Sequence, residues 1–225
     1  MIHSLLLPIF PRKAARSLQV RPVWWPGLLV LAVLTVVTRI VEWPSVIQSV
    51  LAHLPPTATQ ADQEWVRSVL SRELLVRCPM TILLCVGTVA LFGGLLHYMG
   101  RAQRFPRRPR YEHLFALTAY AACIPALVEL SIAALRAWAG AEASIPSLAW
   151  MGGAWGVDDF VVNALLEAVS LTAVWFVVVL GAGLSVLFAC SLRRALLFAT
   201  GAWAVAVLTN LWLLRMAAEA LHLQV

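Results

Sequence analysis

Charge is what this sequence has least of. Asp, Glu, Lys and Arg supply 12% of its 225 residues, where a soluble domain carries roughly 25%. With 61% hydrophobic residues and a mean hydropathy of +0.84, the chain has too few polar groups to cover a water-facing surface, so lipid must face much of it. Lysine is nearly missing too: of 17 basic residues only Lys13 is a lysine. The net charge of +6 therefore does not point to nucleic acid. The cations sit beside apolar runs, where they orient helices and attract anionic headgroups, and not as a stripe on a soluble element.

The chemistry-bearing patterns are equally sparse. Cys78, Cys85, Cys123 and Cys190 form no CxxC pair and lie in or at the edge of apolar runs, which excludes a disulfide framework or a zinc site and suits small packing residues. His3, His53, His97, His113 and His222 are scattered, with no H-x-x-x-H pair. Gly152, Gly153 and Gly156 follow no strand, so no phosphate loop is implied. No Ser/His/Asp constellation is visible. The expectation is a protein without catalysis, metal or cofactor. The length leaves no room for a separate soluble domain, and the first apolar run lacks a small-x-small cleavage site, so it reads as a permanent span.

Five apolar runs are what is there. They predict an all-α, polytopic bundle with spans at about 23–41, 78–99, 114–138, 160–190 and 195–214. Residues 1–22 form a basic interfacial prelude. Within it a short helix is expected between Pro11 and Pro22, lying in the headgroup layer with its apolar side buried and Arg12, Lys13 and Arg16 reaching phosphate. Trp65, Val66, Val69, Leu70 and Leu74 follow helical spacing, which predicts an amphipathic helix over about 61–76, lying on the outer membrane face and leading into the second span. Pro125 falls in the middle of the third span and removes one helical hydrogen bond. Arg39 and Glu42, three apart, are placed to pair at the exit of the first.

The arginines orient the bundle. The first segment, the loop after the second span (Arg101, Arg104, Arg107, Arg108, Arg110) and the turn after the fourth (Arg193, Arg194) hold four, five and two basic residues, eleven in all; the opposite side holds six. The positive-inside rule then favours an N-inside, C-outside chain. These basic loops are expected to dock anionic lipid headgroups or an acidic partner. Gly87, Gly93, Gly94, Gly181 and Gly183 allow close helix approach, as small residues do in bilayers.

Two carboxylates fall inside spans, Glu129 and Glu167. Counting turns puts both about 12–14 Å from the same outer edge. Intramembrane acids are functional candidates, but a protonated Glu also bonds across helices, with Asn163 one turn before Glu167 and Asn210 near the outer end of the fifth span as companions. Arg136, seven residues after Glu129, shares its face and can reach outward to the headgroups.

The order of features resembles a known family. Phe10-Pro11 through Trp25-Pro26 is a basic amphipathic lead into the first span. Gln60 to Arg77 flows into the second. In Phe115 to Leu130, Ala119-Tyr120 precede Ile124-Pro125, and Trp175 to Ala195 is an apolar run, Gly181, then Ser191 onward. In this the chain is similar to the Yip family, five-span membrane proteins named for Ypt/Rab-interacting proteins and widespread in bacteria. The resemblance implies an integral membrane protein without known catalysis. Eukaryotic relatives bind prenylated Rab GTPases, whereas some bacterial members accompany MacB-like ABC exporters. The chain is rich in arginine and alanine and its prelude is basic where the eukaryotic pattern is long and acidic. That directs the expectation to the bacterial type in the inner membrane: an accessory subunit whose partner is a transporter or a second copy of itself. The alternative is a small transporter or channel using Glu129 and Glu167.

Overall fold

The computed structural model describes residues 11–55, 59–139 and 169–220. Among these the regular structure is helical throughout: α1 (Pro11–Val20), α2 (Trp25–Ala52), α3 (Gln60–Ala102), α4 (Tyr111–Ala139), α5 (Leu171–Leu187) and α6 (Leu192–Ala220). Four stretches are long and apolar enough to cross a membrane, namely Trp25–Ala52, Gln60–Ala102, Tyr111–Trp138 and Leu192–Leu213. α5, at 17 residues, spans about 25 Å, short of a hydrocarbon layer of roughly 30 Å. The residues before 169 that the sequence assigns to the same span lie outside the described ones.

Local signals set the helix ends. Pro11 opens α1 where a missing N–H costs nothing, and the chain leaves helix before Pro22, which disfavours helical geometry in the preceding residue. α3 begins with a reciprocal cap: the Asp62 N–H donates to Thr59 Oγ1 (3.3 Å) and the Thr59 N–H to Asp62 Oδ2 (2.8 Å). Ser170 Oγ accepts from the Ala173 N–H at the start of α5 (3.2 Å).

The amphipathic stretch over 61–76 is not a separate surface helix. It is the first part of α3, a single 43-residue helix of about 65 Å, twice the thickness of the hydrocarbon layer. A closed cap at Thr59 starts it. Arg77 bonds back to Glu73 (Nε to Oε1, 2.7 Å) across the junction, and the helix continues through Pro79 just beyond it. α2 likewise continues through Pro44 to Ala52, well past the end of its apolar run.

α4 is the central helix. It packs against α2, α3, α5 and, more lightly, α1, while α6 lies on α5 and touches α3. Small residues make this possible: Ala116, Ala119 and Ala121 are wholly buried, alongside Leu114 and Leu117. Tyr120 ties the start of the first span to this core, its hydroxyl donating to the Val23 carbonyl (3.0 Å). A methyl on Gly27 would stand 3.0 Å from the same ring, so glycine is what lets α2 close onto Tyr120. The apolar face of α1 meets protein where the sequence suggested lipid: Ala14, Ala15 and Leu18 are at most 1% exposed, α1 packs on α5, and Gln19 Nε2 donates to the Val186 carbonyl (2.6 Å). The adjacent alanines let the backbones approach closely.

Candidate functional site

The three basic segments meet at one end of the bundle. The α1 contact to Val186 is one link. The loop after α3 supplies two more, Arg107 N–H to the Phe188 carbonyl (3.2 Å) and the Arg104 carbonyl accepting from Arg194 Nη2 (3.4 Å). Beneath them Phe105, Phe188 and Phe198 form an aromatic plug with ring centroids 4.5–5.5 Å apart, and the Arg194 guanidinium covers Phe105 at 4.6 Å. The α5–α6 turn is tight. It passes through Ala189 at φ 52°, a left-handed conformation that a side chain opposes. Beside it, burial pushes the Cys190 thiol up against the opposing pull of Arg194.

Phe188 also lines a cavity of about 290 Å³, together with Arg101, Arg108, Arg110, His97, Gly100 and Leu114. Arg101 comes from the last turn of α3 and His97 from one turn before it, so both face the same way. The other two arginines come from the loop. A methyl on Gly100 would stand 2.6 Å from the Phe188 ring, so the ring rests directly on α3. His113, at the start of α4, keeps a buried Nδ1 with no hydrogen-bond partner. The arginine spacing was legible as a charged loop. His97 was not singled out, although its i, i+4 relation to Arg101 was there to see.

The ion pairs among the described residues lie elsewhere. They are Arg39–Glu42, at 3.3 Å and as the sequence spacing suggested, and Arg77 with Glu73. Both edge a cleft of about 320 Å³ between α2 and α3, where Arg77 also sits 5.8 Å from the Trp43 ring centroid. Trp43 is buried and its Nε1–H has no partner.

Glu129 is exposed on α4, and its charged neighbours are Arg39 and Glu42 of α2. Glu167 and Asn163 lie outside the described residues. Asn210 is exposed and lines an apolar groove of about 280 Å³ between α3 and α6, with Thr88, Leu91, Phe92 and Leu95; that lining includes neither Glu129 nor Arg39. Pro125 is accommodated within α4. Two buried hydroxyls of the spans bond to backbone: Thr118 Oγ1 donates to the Leu114 carbonyl (2.9 Å) and Ser185 Oγ to that of Ala182 (2.7 Å).

The glycines divide. A methyl on Gly93 would stand 3.2 Å from Phe115 Cα, and one on Gly181 3.1 Å from Leu196 Cα; one on Gly183 would strike Leu117. At Gly87 and Gly94 it would meet nothing within 4 Å, so among the described residues nothing packs on these two. Gly27 and Gly100 are the close approaches that spacing alone did not mark.

A sequence profile of the Yip1 domain matches residues 5–214. No curated protein and no solved structure matches the chain.

Proposed function

The chain belongs to the Yip family of membrane proteins, and we propose that it is a non-enzymatic accessory subunit of a bacterial inner membrane, oriented N-inside and C-outside. It works by offering a helix face to a partner membrane protein, an ABC exporter of the MacB-like kind or a second copy of itself.

The observation that carries this reading is the open face of α3. Gly87 and Gly94 are seven residues apart, hence on one side of the helix, and nothing among the described residues packs on either. The neighbouring groove toward α6 is apolar and holds the Asn210 amide. A small-residue face beside a lipid-exposed amide suits a transmembrane partner, because the backbones approach closely and the amide gains a bond that lipid cannot supply. The transport reading has less support, since Thr118 and Ser185 donate to their own helices and Glu129 is not brought together with Asn210.

The test is purification in mild detergent from the native membrane, with mass spectrometry of what copurifies. Exporter subunits or a defined homo-oligomer in fixed ratio is the expected result. A monodisperse monomer with no membrane partner overturns the subunit reading. Ion or solute flux by that monomer in proteoliposomes, lost in Glu129→Gln, would put transport in its place.

A further inference from the structure

We propose that the cavity at the arginine-rich end binds the headgroup of a doubly charged phospholipid of the cardiolipin type. The inference concerns this cavity and is independent of the partner-helix reading.

The first argument is charge. Arg101, Arg108 and Arg110 line one cavity of about 290 Å³, and no carboxylate lines it with them. None of the three takes part in an ion pair among the described residues; both such pairs lie on α2 and α3 at the opposite end. Gathered guanidinium groups repel one another, and an arrangement that holds them together without an acid is one that an anion completes. Guanidinium forks match phosphate oxygens in pairs.

The second argument is shape and rigidity. The lining combines the polar Arg101, Arg108, Arg110 and His97 with the apolar Pro109, Leu114 and Phe188. Gly100 lets the Phe188 ring seat on α3, and the Arg107 N–H bond to the Phe188 carbonyl fixes the loop above that ring. The loop is thus held in place before any ligand arrives, which lowers the ordering cost of binding.

The third is position. Arg101 stands in the last turn of α3, two residues past the end of the apolar run at about 78–99, where a basic residue meets the lipid phosphates. Basic pockets between spans at that level take anionic headgroups. A free phosphate shares the chemistry, but the apolar lining residues Leu114 and Phe188 favour the lipid, whose glycerol and acyl carbons cover them. Three cations exceed the charge of a single phosphodiester, and two linked phosphates suit them better.

The experiment uses the full chain in detergent, with lipid retention read by native mass spectrometry. The probes are cardiolipin, phosphatidylglycerol at equal total charge, phosphatidylcholine, and inorganic phosphate as the water-soluble arm. Cardiolipin is expected to be retained over phosphatidylglycerol, with phosphatidylcholine and inorganic phosphate competing poorly. Arg101→Gln and Arg108→Gln should each weaken cardiolipin roughly tenfold. Arg12→Gln and Arg16→Gln, on exposed cations of α1 that do not line the cavity, should cost about fivefold at most. Equal retention of the two anionic lipids, or α1 variants as costly as the cavity variants, would show a diffuse basic surface and overturn the proposal. Displacement of cardiolipin by inorganic phosphate at matched concentration would overturn the lipid assignment. The lipid ranking of the parent protein decides the matter even if a variant fails to fold.

Discussion

A methyl group placed on Gly181 would stand 2.6 Å from Leu196 Cδ2 and 3.1 Å from Leu196 Cα. Carbon atoms in good contact are about 3.5–4.0 Å apart. The leucine tip can rotate away, but the Cα cannot move without α6. That helix is held to α5 by a turn of four residues, 188–191, so the pair has little slack. Overpacking of this kind costs about 1–3 kcal/mol. Alanine recovers about 1 kcal/mol over glycine by its helix propensity. Gly181→Ala should therefore destabilise by about 1 kcal/mol. Gly94→Ala, where the methyl meets open space, keeps only the propensity gain and should stabilise by up to about 1 kcal/mol. The gap between the two variants is then about 2 kcal/mol, or several degrees in melting temperature for a chain of this size. The assay is thermal unfolding followed by tryptophan fluorescence in one detergent. Equal melting temperatures, or Gly181→Ala as the more stable variant, would refute the close approach of α5 and α6.

Three further outcomes are expected. Tyr120→Phe removes the donor to the Val23 carbonyl and should cost about 1 kcal/mol or slightly less, seen as a lower melting temperature; an unchanged value would mean that carbonyl finds another partner. Ala189→Gly removes the side chain from a left-handed residue and should stabilise by about 1 kcal/mol; a loss of stability in the same melt would show that the turn depends on the alanine methyl. Charge reversal at Arg107 and Arg108 places acids in the loop that weighs most in orienting the chain, so it should disturb topology or assembly, measured by cysteine accessibility on the two membrane faces; unchanged accessibility and unchanged copurification would count against the loop as the orienting element.

Much of the architecture was legible in the sequence because lipid imposes simple rules. Long apolar runs must be helices, since no water is present to satisfy a backbone. Two prolines bracket α1, and three-residue spacing pairs Arg39 with Glu42. Other features were not legible. The spacing over 61–76 predicts an amphipathic helix on the membrane face leading into the second span, but it does not tell a bend at the junction from one continuous helix. Ala14 and Leu18 mark an apolar face, but nothing in their spacing says whether lipid or α5 covers it.

The sequence alone settles the solvent, the helical class and which segments are basic, because each follows from local composition and from the energy of a backbone in hydrocarbon. Only the tertiary structure decides which glycines matter, since a missing Cβ counts only where another helix arrives. It alone places the arginines of that charged loop around one cavity with Phe188, whose ring seats on Gly100, a contact between residues far apart in the chain that no local pattern encodes.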